Sequence, residues 1–124
     1  MTIPAELHGQ KYISLTTYRK SGVPVRTPVW FAEQDDKLYV MSEREAGKIK
    51  RVRNNPKVKL APCTFRGRVT GPEFTGTARV LPSGEEFEIA RQAVRQKYWL
   101  ARLSFRSRRN QYLEIQIQGI QVQG

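Results

Sequence analysis

The last strand-like stretch, "YLEIQIQGIQV" from Tyr112 to Val122, constrains the fold most. Leu113, Ile115 and Ile117 alternate with Glu114, Gln116 and Gln118. A period of two places one set on an apolar core and the other on the opposite face of a sheet. The parity then flips, so that Ile120 and Val122 take up the apolar register, and a bulge at Gly119 accounts for the flip.

The rest of the chain supplies partners for such a strand. "KYISLTTY" (Lys11 to Tyr18) and "VRTPVWFA" (Val25 to Ala32) are rich in β-branched and aromatic residues, and the Ser21-Gly22 turn signal between them makes a hairpin. "LYVMS", "KVKLAPC" and "EFTGTARVL" read as further strands. Two segments have helical spacing instead. Ser42-x-x-Glu45 has the form of a capping box, followed by Ala46, Ile49 and Val52, and Asn54-Asn55-Pro56 ends that helix. Ser83-x-x-Glu86 has the same form, followed by Phe87, Ala90, Val94 and Tyr98 on one face, with a helix expected to about Leu103. "SFRSRRNQ" reads as a basic loop. The order β-β-β-α-β-β-α-β predicts a mainly β (α+β) domain, an antiparallel sheet closing as a small barrel with two short helices.

At 124 residues one domain, 1–124, is expected. Apolar runs are too short to span a bilayer, and the N-terminus lacks an apolar signal core. The single cysteine, Cys63, excludes an internal disulfide. Together these predict a cytoplasmic protein with no membrane partner.

Protein groups for catalysis are scarce. His8 is the only histidine, and Cys63 has neither a second thiol nor an adjacent base, so no metal site is expected. Chemistry in such a chain falls to a cofactor. Tyr12, Tyr18 and Tyr98 are candidate proton donors, with simple packing as the ordinary alternative.

Charge points to an anionic partner. The formal net charge is +11, from 22 Lys and Arg against 11 Asp and Glu. Seven basic residues fall between Ser42 and Leu60. Arg44, Lys48 and Arg51 are spaced by three and four, on one helix face, and Gly47 permits close approach at the helix start. The pattern suits a phosphate and equally a solvated basic face. That stretch lacks aromatic residues, which speaks against a specific nucleic-acid site. Pro28 sits in mid-strand, where it cannot donate a ladder hydrogen bond, so its strand lies at an edge or beside a bound flat ligand.

The combination "KYISLTTYRKSGVPVRTPVWFA … LYVMSEREAGKIKRVRNNPKVKLAPC", continuing through "RGRVTGPEFTGTARVL" to "RQKYWLARL", covers nearly the whole chain. It resembles the split β-barrel superfamily of flavin and deazaflavin oxidoreductases that includes pyridoxamine 5′-phosphate oxidase, and within it the PPOX-class F-420-dependent oxidoreductases. The resemblance implies a six-stranded split barrel of the FMN-binding type, working as a homodimer with the cofactor between subunits. It implies that the cofactor ring packs along Thr27, Pro28, Val29 and Trp30. It further implies that Met41, Ser42 and Lys48 hold the phosphate, with Lys50 and Arg53 as weaker contributors. Several relatives carry an arginine two positions before the phosphate lysine, where this chain has Ala46. Some relatives bind FMN or haem. The implied activity is hydride transfer from reduced coenzyme F-420 to a small electron-poor substrate. The alternatives are an FMN-dependent oxidase or reductase, a cofactor carrier without turnover, and a basic nucleic-acid-binding barrel. The charge surplus and a second basic cluster at Arg106 to Arg109 suit the longer polyanion, F-420.

Overall fold

The computed structural model describes residues 3–43, 46–98 and 110–120. Among these, seven antiparallel strands form one curled sheet: β1 (Tyr12–Tyr18), β2 (Pro24–Trp30), β3 (Ala32–Gln34), β4 (Lys37–Glu43), β5 (Lys57–Pro62), β6 (Phe74–Val80) and β7 (Asn110–Ile120). Their spatial order is β2-β1-β5-β6-β7-β4-β3. Two α-helices occur among the described residues, α1 (Gly47–Asn54) and α2 (Glu85–Lys97). This is a split barrel of the expected mainly β class.

The seventh strand arises at Phe31. The stretch expected as one strand to Ala32 divides there, because β2 pairs only with β1 whereas Ala32 to Gln34 pair with β4. Phe31 is fully buried between the two halves. The edge strands β2 and β3 are therefore neighbours in sequence, and β2 touches β4 across the split.

Alternation sets the two faces. Ile13, Leu15, Val29, Val40, Leu60 and Leu113 point inward to the main core. Ile49 and Val52 of α1 enter the same core, so α1 closes one end of the barrel. On the outer face α2 covers β3, β4 and β7, burying Tyr39 and Tyr112 against Ala90, Ala93 and Val94. Glu114 on that face is also buried, where Arg79 (3.1 Å) and Lys37 (3.6 Å) neutralise it.

The bulge lies where the parity flip placed it. Thr75 faces Gly119 but Gly76 faces Ile117, which leaves Gln118 as the extra residue on β7. The expected apolar register beyond it fails at Ile120, which remains 55% exposed because the sheet ends there and nothing packs over it among the described residues. Val122 lies outside the described residues.

Neither capping box forms as expected. Ser42 is still in β4, paired with Gln111, and α1 starts only at Gly47, with Ala46 as an N-cap that makes no side-chain bond. Strand pairing with β7 outcompetes the local cap. Glu45 lies outside the described residues. Helix α2 begins at Glu85 after Gly84, again without a side-chain cap, so Ser83 does not serve. Helix α2 ends at Lys97, with Tyr98 leaving helical geometry as its C-cap, short of the expected Leu103, and the basic cluster Arg106 to Arg109 lies outside the described residues.

Candidate functional site

Strand β2 is an edge strand, as Pro28 suggested: β1 pairs with one side of it, and among the described residues its other side carries no ladder. Pro28 faces outward and is packed by Gly67, where an added Cβ would stand 3.7 Å from the proline ring. Trp30, on the same face, stacks on Tyr98 of the α2 C-cap, with ring centroids 4.7 Å apart and planes 8° from parallel. Val29 faces the core. Thr27 shares that inner parity, and its hydroxyl is buried without a hydrogen-bond partner. Such an orphan is unusual and suits a ligand that supplies the missing partner.

Helix α1, packed on β6 and on β1, the strand next to β2, gathers cations. Lys48 is half-buried. Its pKa is lowered by burial and then by Arg51, with Glu43 acting the other way. Arg51 donates from Nε to the Thr17 hydroxyl at 2.6 Å, and Thr17 is fully buried on β1. The Arg51 pKa is also lowered, by burial and then by Arg19. The guanidinium lies over Gly47, where a Cβ would sit 2.6 Å from Nη1, so a larger residue there would push the arginine out. Arg51 thus acts as a like charge on Lys48, and Arg19 on Arg51, with Glu43 as the acid acting on Lys48.

The other expected phosphate residues are distributed differently. Ser42 is buried, and its hydroxyl donates to the Glu43 carbonyl at 3.3 Å. The Met41 side chain points the opposite way, under α2, where its sulfur accepts from Asn110 Nδ2 at 3.4 Å. Lys50 is exposed. Arg53 is five residues from Lys48, nearly half a helical turn around, and lines a separate cavity of about 690 Å³ with Pro56, Leu81 and Phe87. The helical spacing of Lys48 and Arg51 is legible in sequence. Thr17 and Arg19 carry no such signal, because strand pairing and a turn bring them to the helix.

The acid–base candidates are mostly occupied. The Tyr98 hydroxyl accepts from Phe31 N–H (3.2 Å) and lies 2.6 Å from the Phe31 carbonyl and 2.7 Å from that of Lys11. Burial pushes its pKa up to about 12. It is therefore a structural pin and a poor proton donor. His8 is exposed and pairs with Glu33 at 2.9 Å. Cys63 is buried, and burial raises its thiol pKa. Among the described residues no three His, Cys, Asp or Glu side chains come together as a metal site.

A family model described as pyridoxamine 5′-phosphate oxidase matches residues 2–124. The chain belongs to the pyridoxamine 5′-phosphate oxidase family. Solved structures agree in fold. The chain resembles the heme storage protein HutZ from Vibrio cholerae, at 15% identity and a TM-score of 0.76, covering 100% of this chain and 96% of that one. A protein from Listeria innocua described as a candidate pyridoxamine 5′-phosphate oxidase is 20% identical, with a TM-score of 0.71, covering 94% and 91%. A candidate 5-nitroimidazole antibiotic resistance protein from Bacteroides thetaiotaomicron is 15% identical, with a TM-score of 0.71, covering 94% and 78%. At these identities the likeness is one of fold. No curated protein matches the chain. Within this family fold, β1 links the two features: it pairs with β2 and carries Thr17, which holds Arg51 of α1. No helix among the described residues is long and apolar enough to cross a membrane.

Proposed function

We propose that the protein is an F-420-dependent reductase, binding the deazaflavin ring along β2 and the anionic part of the cofactor at Lys48. The observation that carries this reading is the cationic group Arg19, Lys48 and Arg51, tied to β1 through Thr17, together with the orphaned Thr27 hydroxyl on the neighbouring edge strand β2. Partly buried like charges repel and lose hydration, so the arrangement is relieved by an anion. The ring of F-420, when bound, supplies a hydride to an electron-poor acceptor. The chain's own part is to fix the ring against β2, hold the phosphodiester and keep water away. The family permits several cofactors, and the net charge of +11 favours the one with the longest anionic tail.

The reading includes a homodimer. The free side of β2 needs a second wall, and Phe65 and Val69 are exposed apolar residues on the loop between β5 and β6. It places the protein in the cytoplasm, where a soluble cofactor is met.

Parallel titrations with F-420 and FMN, followed by fluorescence at about 0.15 M salt, test the reading. Tighter binding of F-420 is expected. Tighter binding of FMN would transfer the site to the FMN-dependent alternative. Binding of neither would reject a flavin-type oxidoreductase.

A further inference from the structure

We propose that Arg51, held in place by Thr17, is a second anchor for the anionic part of the cofactor, and that Thr17 is its positioning residue. The inference rests on the functional reading above. It concerns residues outside the set that the family resemblance marks.

Arg51 stands one helical turn after Lys48, on the same side of α1. Its Nε is used by the buried Thr17 hydroxyl at 2.6 Å. That bond fixes the plane of the guanidinium and leaves the Nη1–Nη2 edge without a hydrogen-bond partner among the described residues. An end-on guanidinium edge matches two oxygens of a phosphate. The absence of a side chain at Gly47 is what admits the guanidinium, since a Cβ there would meet Nη1 at 2.6 Å. No carboxylate pairs with Arg51 among the described residues, while Arg19 acts on it as a like charge. A partly buried arginine that is tied by a neutral hydroxyl and crowded by cations lacks its counter-ion. Lys48 and Arg51 bracket one position with a point charge and an oriented fork. Ala46, the N-cap of α1, carries no guanidinium, and Arg51 provides one from the next turn.

The test separates the anion from the ring. Wild type, Arg51→Ala, Thr17→Val, Thr17→Ser and Lys48→Ala are titrated by fluorescence with F-420 and with its deazaflavin chromophore lacking phosphodiester and tail. FMN and riboflavin form the equivalent pair. Loss of a charge-assisted bond predicts about tenfold or greater weakening of F-420 in Arg51→Ala, with chromophore binding unchanged. Thr17→Val should weaken F-420 in the same selective way, and Thr17→Ser, which keeps the hydroxyl, should restore it. Equal weakening of F-420 and chromophore would mean that Arg51 only supports the fold, and would overturn the inference. Unchanged F-420 affinity in Arg51→Ala, with Lys48→Ala impaired, would overturn the inference and leave the functional reading standing. If wild type binds no member of either pair, both fall together.

Discussion

One hydroxyl, that of Tyr98, ties three parts of the chain. It brackets the backbone of Phe31, reaches Lys11, and its ring stacks on Trp30. Tyr98→Phe should cost about 1–3 kcal/mol in a denaturant titration, the penalty for leaving buried backbone groups unpaired. Little change would mean that water replaces the phenol. Lys48 makes a functional prediction at the same scale. Lys48→Ala should weaken F-420 binding by about 1–3 kcal/mol, and an unchanged affinity would remove Lys48 from the anion site. Next to Tyr98, Lys97 lies 3.9 Å above the Phe31 ring and donates to the Gln10 carbonyl. Burial lowers its pKa to about 8, from an ordinary 10.5. Between those values the unfolded chain holds the proton that the folded chain releases, so the folded state loses a charged-burial penalty as pH rises. The pKa values of Tyr98 and Tyr112 are raised to about 12, chiefly by burial, so they act oppositely: their stabilisation is complete below about 10 and is lost as pH climbs to 12. Stability measured against pH should therefore rise above pH 8 and fall above pH 10. Lys97→Met should flatten the rising limb, and a limb unchanged in that variant would assign it elsewhere.

Elements were legible in sequence where the signal was a period, and misread where it was a cap. Alternation in β7, the parity flip at Gly119 and the mid-strand Pro28 each reported correctly on the sheet, because each reflects a strand's own geometry. The two Ser-x-x-Glu patterns misled because a cap competes with whatever else the backbone can bond. Ser42 and Glu43 pair with Gln111 and Asn110, almost seventy residues away, and no local pattern announces that. The site was legible to the same degree. The position of Lys48 follows from helical spacing, whereas the Thr17 tie to Arg51 needs the contact of α1 with β1. The sheet also explains Gly76, whose added Cβ would stand 2.6 Å from the Gln116 carbonyl oxygen on the next strand. Gly76→Ala should therefore destabilise the fold by about 1–3 kcal/mol, as overpacking against backbone does. A melting temperature equal to wild type would show that β6 and β7 can separate there at no cost.

For the whole molecule, light scattering at micromolar concentration should give a dimer, and a monomer in the presence of cofactor would leave the β2 edge to another partner. The net charge of +11 sets a further expectation. Cofactor affinity should fall with salt at a log–log slope of about −1 to −3, against about −5 for a nucleic acid engaged through six phosphates. A steep slope with a specific oligonucleotide, and no F-420 binding, would reverse the reading. The join at Phe31 has a mechanical meaning for all of this. The sheet is open between its edge strands β2 and β3, yet the chain crosses from one lip of the opening to the other in a single residue. The barrel is thus a bracelet with a stitched clasp: the lips can rotate about the stitch but cannot drift apart. Tyr98 holds both backbone groups of the stitched residue, so α2 works as the catch. Any widening that admits a ring between the lips must turn at Phe31, and Trp30, one residue away and stacked on that catch, is placed to report it through its fluorescence.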